Sequence, residues 1–377
     1  MTILLQREQQ AWRDMGGLDT AEEIAQQPAL WRALSERLQA DAAALAAFLG
    51  QSLQDPRQRV ILTGAGSSAY VGEIVADTLN AAWPAQVRAV ATTSLLTHPE
   101  LYLEAGAPTL LVSFARSGSS PESLAAVELV RELVRDARFL NITCNPAGQL
   151  AVRGAGDANV YNLLMPAASC DRGFAMTSSF TCMLLAALCV LGGANGAPRL
   201  AALAQWGEQA LREWAAPVAA LAAQPVQRVV YLGSGPLEAL AKEAALKILE
   251  LTGGRVLAMS NTALGFRHGP KSALNAQSLV VLFRSSKALA RRYEEDLLDE
   301  LRRDQVAGAI VTVGRDADIG LQADLPDAWL APLWLLMAQQ YALHQSAALG
   351  LTPDNPFADG TVNRVVQGVT IYRHDQF

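Results

Sequence analysis

No C-x-x-C pair occurs among Cys144, Cys170, Cys182 and Cys189, so the chain offers neither a disulfide framework nor a thiolate zinc site. Reduced thiols in a cytoplasmic protein are the expectation. The histidines, His98, His268, His344 and His374, are too scattered for metal-ligand spacing, and no metal or other cofactor is expected. Charge is scarce as well: 18% of residues are charged and the net charge is −6. With no basic stripe interleaved with aromatics, a nucleic-acid partner is not expected. The longest strongly apolar run, Phe180 to Leu191, falls short of the roughly 20 residues that cross a bilayer. Arg7, Glu8 and Gln9 follow a brief apolar start, so a signal-peptide core is missing and no membrane partner is expected. What remains is a 377-residue chain that is 51% hydrophobic, long enough for two α/β domains.

The segment Val112 to Ser123 reads V-S-F-A-R-S-G-S-S-P-E-S. An apolar β-type run, Thr109 to Phe114, breaks into a hydroxyl-rich turn, and Pro121 and Glu122 then suit the first turn of a helix. A cluster of hydroxyls at a helix N-terminus favours an anion, because unpaired amides and the helix dipole point at it. An over-supplied helix cap is the plainer alternative. The segment up to about Gly50 reads as helical, with Thr20 as its expected cap before A-E-E.

One unit is used twice. R-V-I-L-T followed by G-A-G at Arg59 to Gly66 matches R-V-V-Y-L followed by G-S-G at Arg228 to Gly235, an offset of 169 residues. The same offset relates Val87 to Val256, Phe114 to Phe283, and Ile142-Thr143 to Val311-Thr312. This repetition predicts an α/β fold of two tandem, doubly wound, five-stranded parallel sheets of flavodoxin-like type, behind an N-terminal helical segment. The expected division is 1–50 for that segment, 51–200 and 201–350 for the two domains, and 351–377 for a C-terminal tail. F-A-R-S-G-S-S-P in the first copy becomes F-R-S-S-K-A-L-A in the second, so only the first retains an anion cradle and one phosphate site per chain is expected.

G-A-G-S-S-A at Gly64 to Ala69 also fits a dinucleotide fingerprint, but Val87 to Ala91 runs into Thr92, Thr93 and Ser94 rather than an acidic residue. In the second copy, Glu243, Lys247 and Glu250 share one helical face. Such spacing usually makes a solvated ion-pair stripe. Here the neighbours Ala244, Ala245, Leu246, Ile248 and Leu249 are apolar, so the carboxylates are expected to border a cavity and to carry protons. His268 lies in G-F-R-H-G-P-K between two cations, which reads as a formed binding loop able to shuttle protons.

Together T-G-A-G-S-S, S-F-A-R-S-G-S-S-P-E-S, E-A-A-L-K-I-L-E-L-T and G-F-R-H-G-P-K resemble the sugar isomerase (SIS) family. With D-R-G-F-A-M-T-S-S-F-T (Asp171 to Thr181) and the long motif from Thr352 to Tyr372, the chain resembles the AgaS-type galactosamine-6-phosphate deaminase/isomerase subfamily nearly end to end. That subfamily is also labelled tagatose-6-phosphate ketose/aldose isomerase. The resemblance implies that the sugar phosphate is held by Gly66, Ser67, Ser68, Arg116, Ser117, Ser119 and Ser120, with Thr177, Ser178, Glu243 and Gln367 as further substrate contacts. Relative to the isomerase half of glucosamine-6-phosphate synthase, it implies Glu250 as the base between C1 and C2, His268 as the ring opener reaching in from a neighbouring subunit, and Lys247 as a supporting catalytic group. A homodimer or higher homo-oligomer with shared sites follows as an expectation. Two departures stand out. Residue 2 is Thr2 with no glutaminase domain, so glutamine-fed synthesis is not expected. Gln367 replaces a lysine that forms an imine in the synthase, which leaves acid–base catalysis alone. The expected reaction converts D-galactosamine 6-phosphate to D-tagatose 6-phosphate and ammonia. Isomerisation of neutral hexose 6-phosphates, deamination of glucosamine 6-phosphate, and a non-catalytic sugar-phosphate sensor stay open as alternatives.

Overall fold

The computed structural model describes residues 2–193 and 196–376. A two-residue hairpin, β1 (Ile3–Leu4) and β2 (Arg7–Glu8), precedes helices Gln9–Asp14, Leu18–Ala25 and Gln27–Leu49. Strands β3 (Arg59–Thr63), β4 (Gln86–Ala89), β5 (Thr109–Ala115), β6 (Ala137–Thr143) and β7 (Val160–Leu164) form one parallel sheet in the order β4-β3-β5-β6-β7. Strands β8 (Arg228–Leu232), β9 (Leu257–Asn261), β10 (Ser278–Phe283), β11 (Ala309–Gly314) and β12 (Ile319–Gly320) form a second parallel sheet in the order β9-β8-β10-β11-β12. Both orders are the flavodoxin-like one, so the expected fold class holds. The central strands β5 and β10 are buried along their whole length, which is why they read as unbroken apolar runs rather than alternating ones.

Pairing register refines the duplication. The offset of 169 holds for Arg59 and Arg228 and for Phe114 and Phe283. It does not hold for the strands on either side. Val87 pairs with Val60 as Ala258 pairs with Val229, and Ile142 pairs with Phe114 as Val313 pairs with Phe283. The counterparts are therefore Ala258 and Val313, two residues beyond Val256 and Val311. A shift of two keeps every side chain on its own face, so the apolar pattern hid it. The connection from helix Pro236–Leu251 to β9 absorbs the difference through Gly253 and Gly254, both at positive φ (55° and 72°).

Two compact units result. One comprises Leu30–Cys170, Ser178–Leu200 and Asp359–Phe377 and holds the first sheet; the other comprises Met1–Ala29, Asp171–Thr177 and Ala201–Ala358 and holds the second. In the first unit, helix Ser67–Ala82 packs on helix Ser178–Leu191, and Ile61, Leu111, Val130 and Phe139 close the core on one sheet face. In the second, helix Asp327–Ala348 is buried on nearly every side and packs against helices Pro236–Leu251 and Ala215–Ala222. Each large apolar side chain so enclosed contributes about 1.5–3 kcal/mol. Among the described residues, no helix is long and apolar enough to cross a membrane.

Thr20 is not the helix cap that the sequence suggested. The helix starts at Leu18 with Gly17 as its cap, and the Thr20 amide and hydroxyl both donate to the Asp354 carboxylate, at 2.8 and 2.7 Å. A carboxylate 334 positions away does the capping, which no local pattern could reveal.

Candidate active site

In the first unit, the sheet reverses direction of growth between β3 and β5, and the loops leaving those strands carry the cradle residues. Gly66 caps helix Ser67–Ala82 at φ 57° and ψ −130°, a backbone open essentially to glycine. A Cβ on Gly64 would meet the Ser68 carbonyl carbon at 2.5 Å, so the loop is drawn tightly against the helix start. Ser67 and Ser68 open that helix, both buried. Five residues, Arg116 to Ser120, link β5 to helix Pro121–Leu133, with Pro121 in the first turn as expected. Gly118 sits at φ 64°. Asn145 Nδ2 donates to the Ser117 carbonyl at 3.0 Å, and the Leu150 amide donates to the Gly118 carbonyl at 2.8 Å. Carbonyls thus face the neighbouring loop, while Ser117 and Ser119 stay half-buried at the mouth. Ser120 donates to the Ser123 hydroxyl at 2.7 Å rather than capping the helix with its side chain. The buried Arg116 guanidinium donates to the Arg364 carbonyl at 3.1 Å, tying the loop to the C-terminal tail, where Gln367 is exposed. Ser178 begins helix Ser178–Leu191 and is fully buried.

In the second unit, helix Pro236–Leu251 places Glu243, Lys247 and Glu250 in one row. Lys247 Nζ lies 3.2 Å from Glu243 Oε1 and 2.5 Å from Glu250 Oε2. The side chains of Glu243 and Lys247 are 0% exposed and that of Glu250 is 21% exposed. This is no solvated stripe. Burial alone would pull the Lys247 ammonium down, but the two carboxylates outweigh it and hold it above the ordinary lysine value. Lys247 therefore stays protonated near neutrality and is unsuited to imine formation; it can hold Glu250 and stabilise negative charge on a substrate. The helix ends one residue after Glu250, at the Gly253-Gly254 turn, which leaves this carboxylate at the rim.

His268 is exposed, between the short turns Gly265–Arg267 and Pro270–Ala273. Its two cationic neighbours pair with carboxylates of the next helix. Arg267 binds Asp296 at 2.9 Å and Glu300 at 2.8 Å, and Lys271 binds Glu300 and Asp304. Three carboxylates along one face of helix Ala288–Asp304 staple the loop at both sides of His268. Thr177 also lies in this unit, fully buried, with its amide and hydroxyl donating to Asp171 at 2.8 and 3.0 Å.

The loop of the second copy that corresponds to the cradle, Arg284 to Lys287, holds an anion supplied by the chain itself. The Ser285 amide donates to both Glu294 oxygens at 3.3 and 3.1 Å, and the Ser286 amide and Ser285 hydroxyl donate to Asp327, each at 2.5 Å. The Ser234 hydroxyl, from the G-S-G turn after β8, also bonds Glu294. Burial pushes the Glu294 carboxyl up, against these hydrogen bonds and the Arg284 charge. Counted from the helix caps Ser120 and Lys287, the first copy has Val127 where the second has Glu294. Sequence reasoning missed Glu294 and Asp327 because both lie well beyond the loop in sequence.

Among the described residues no cluster of His, Cys, Asp and Glu could hold a metal ion, and none of the four cysteines is in a disulfide.

Residues 52–191 match the SIS domain. The chain is 45% identical to the D-galactosamine-6-phosphate deaminase AgaS of Shewanella sp. (strain ANA-3), over 95% of this chain and 92% of that protein. It is 44% identical to the D-galactosamine-6-phosphate deaminase AgaS of Escherichia coli, over 94% and 96%. Its fold is similar to the crystal structure of tagatose-6-phosphate ketose/aldose isomerase from Escherichia coli, with a TM-score of 0.87, 40% identity, and coverage of 95% of this chain and 97% of that one.

Proposed function

The chain belongs to the AgaS group of the SIS-domain family, and from that premise we propose that it converts D-galactosamine 6-phosphate and water to D-tagatose 6-phosphate and ammonia. The observation that carries the chemistry is the buried row of Glu243, Lys247 and Glu250, in which a protonated lysine holds the carboxylate that remains partly accessible.

In this reading the phosphate is held by the hydroxyls of Ser67, Ser68, Ser117 and Ser120 and by amides of the same loops, with Arg116 adding positive charge. Ser119, Thr177, Ser178 and Gln367 complete the substrate contacts. His268 assists ring opening by moving a proton between the ring oxygen and the anomeric hydroxyl. Glu250 takes the proton from C2, leaving an enolamine, and returns it to C1, which makes C2 a ketimine. Water adds at C2 and the C2–N bond breaks, releasing ammonia and the ketose. Glu243 and Lys247 hold Glu250 in place and offset the charge that develops at O1. The exposed position of His268 on a stapled loop suits service to a neighbouring copy, so we propose a homo-oligomer with shared sites; four thiols outside any disulfide suit a cytoplasmic location.

The test is ammonia release, measured beside ketose formation, from galactosamine, glucosamine and N-acetylated hexosamine 6-phosphates. Ammonia and ketose in equal amounts from galactosamine 6-phosphate is the expected result. Ketose formation from neutral aldose phosphates without deamination would overturn the reading, and tight binding without turnover would make the protein a sensor.

A further inference from the structure

The segment Asp171–Thr177 poses a question of backbone accounting. It has no helix or strand, yet Asp171, Gly173, Phe174, Ala175 and Thr177 are buried. A buried irregular segment must find partners for its amides. Two carboxylates serve three of those amides. Glu23, on helix Leu18–Ala25, accepts the Arg172 amide at 2.5 Å and the Gly173 amide at 3.3 Å. Asp171 accepts the amide and hydroxyl of Thr177. The Phe174 amide donates to the Asp354 carbonyl at 3.1 Å, and the Phe174 ring meets Phe357 at 5.0 Å. The fit against the helix is close: a Cβ on Gly173 would lie 2.8 Å from Thr20 Oγ1 and 3.1 Å from Glu23 Oε2.

We propose that Glu23 is a positioning residue: by holding the backbone of Arg172 and Gly173 it fixes the turn that delivers Thr177, and thereby sets the affinity for the sugar phosphate. The proposal rests on Thr177 being a substrate contact. Nothing in the SIS match at 52–191 reaches Glu23, so the helical segment ahead of the first sheet gains a role of its own.

The charge state of Glu23 follows from its surroundings. Burial, then the Asp171 charge, push its carboxyl up to about 8, against the two backbone amides and the Arg172 guanidinium. Facing it are Asp171 and Arg172 from the segment, Asp19 and Glu22 from its own helix (both paired with Arg172), and Asp354 from the segment that caps Thr20. Below about pH 8 Glu23 is a neutral acid that accepts amides without repelling Asp171. Above it, the Glu23 charge stands beside that of Asp171 and the turn loosens. Because the folded-state value lies above the unfolded one, the stability this proton contributes is complete below about pH 4.5 and is lost as the pH rises to about 8.

The experiment compares wild type, Glu23→Gln and Glu23→Ala in steady-state kinetics on galactosamine 6-phosphate from about pH 6.5 to about pH 9.5, on the order of 1.5 units either side of the Glu23 transition at about 8, with thermal unfolding to confirm folding. Glu23→Ala should raise KM about tenfold with kcat within about twofold, since hydrogen bonds to amides are lost away from the reacting atoms. Glu23→Gln, a neutral isostere, should keep the wild-type KM at pH 7 and lack the alkaline rise in KM that wild type shows. Its melting temperature should gain on wild type as the pH rises toward 8. A wild-type KM in Glu23→Ala, or an alkaline rise retained in Glu23→Gln, overturns the proposal. Amide exchange at Arg172, Gly173 and Thr177 reads the positioning without any substrate: faster exchange in Glu23→Ala is expected, and unchanged exchange refutes it. Absence of wild-type turnover on every hexosamine phosphate would instead count against the assigned reaction.

Discussion

Helices Ser67–Ala82 and Pro236–Leu251 are the same object built twice. Both have 16 residues, both follow a G-x-G turn, and both are capped by a glycine at nearly one conformation, φ 57° and ψ −130° against φ 58° and ψ −128°. Their chemistry is placed at opposite ends. The first opens with Ser67 and Ser68, where the second has Pro236 and Leu237; the second carries Glu243, Lys247 and Glu250, where the first has Ile74, Thr78 and Ala81. The strand-end loops diverge in the same spirit. The first copy carries the serines of the proposed cradle, whereas in the second Glu294 and Asp327 fill the loop from within. A duplicated frame can divide labour by a few substitutions, because the fold depends on the glycines and the apolar runs and leaves the helix ends to chemistry.

The comparison can be broken most severely at Glu250. Glu250→Gln should lower kcat by about 10²–10⁴-fold while leaving the affinity for inorganic phosphate, read by calorimetry, within about twofold. Rates near wild type would remove Glu250 as the base. Next is Lys247→Thr, which gives the second helix the residue of the first. Removing one partner of a buried ion pair costs about 3–5 kcal/mol, because Glu243 is left charged and enclosed. Urea unfolding reads that loss, and a variant as stable as wild type would show that the row is not electrostatically coupled. Ser67→Ala then tests the opposite end. It should raise KM by about tenfold with a smaller change in kcat, as expected for a hydrogen bond to a charged ligand group. An unchanged KM would take Ser67 out of the cradle. The smallest effect belongs to Glu294→Ala, which orphans the Ser285 amide and should cost about 1–3 kcal/mol without altering the KM of the first-copy site. A shift in KM would mean that the filled loop is not structurally separate from catalysis.

How much of this is legible in the sequence depends on range. The two sheets are legible because apolar runs and glycine turns are local signals and repeat. The row of Glu243, Lys247 and Glu250 is legible for the same reason: it is a short spacing on one helix. The drift of two residues at β9 and β11 is invisible because it preserves the alternation of faces. Polar contacts between distant positions leave no trace in a single sequence. Asp354 caps a helix at Thr20, and Glu23 takes amides from Arg172, 149 residues away. The partners of the cations beside His268 are illegible for the same reason, since Asp296, Glu300 and Asp304 belong to another helix.

The interleaving of the two units has a consequence for synthesis on the ribosome. Residues 1–29 emerge well before 201–358, the main body of the unit to which they belong; residues 359–377 emerge well after the sheet of theirs. Neither unit can close on its own segment alone. The Arg116 guanidinium reaches the Arg364 carbonyl, 248 positions downstream, only after that segment has been made. Contacts of such separation slow folding, and incomplete chains expose the surfaces they will cover. The bond from Arg116 to Arg364 is thus among the later interactions to form, so a nascent chain carries Ser117 to Ser120 well before the tail that ties the residue beside them.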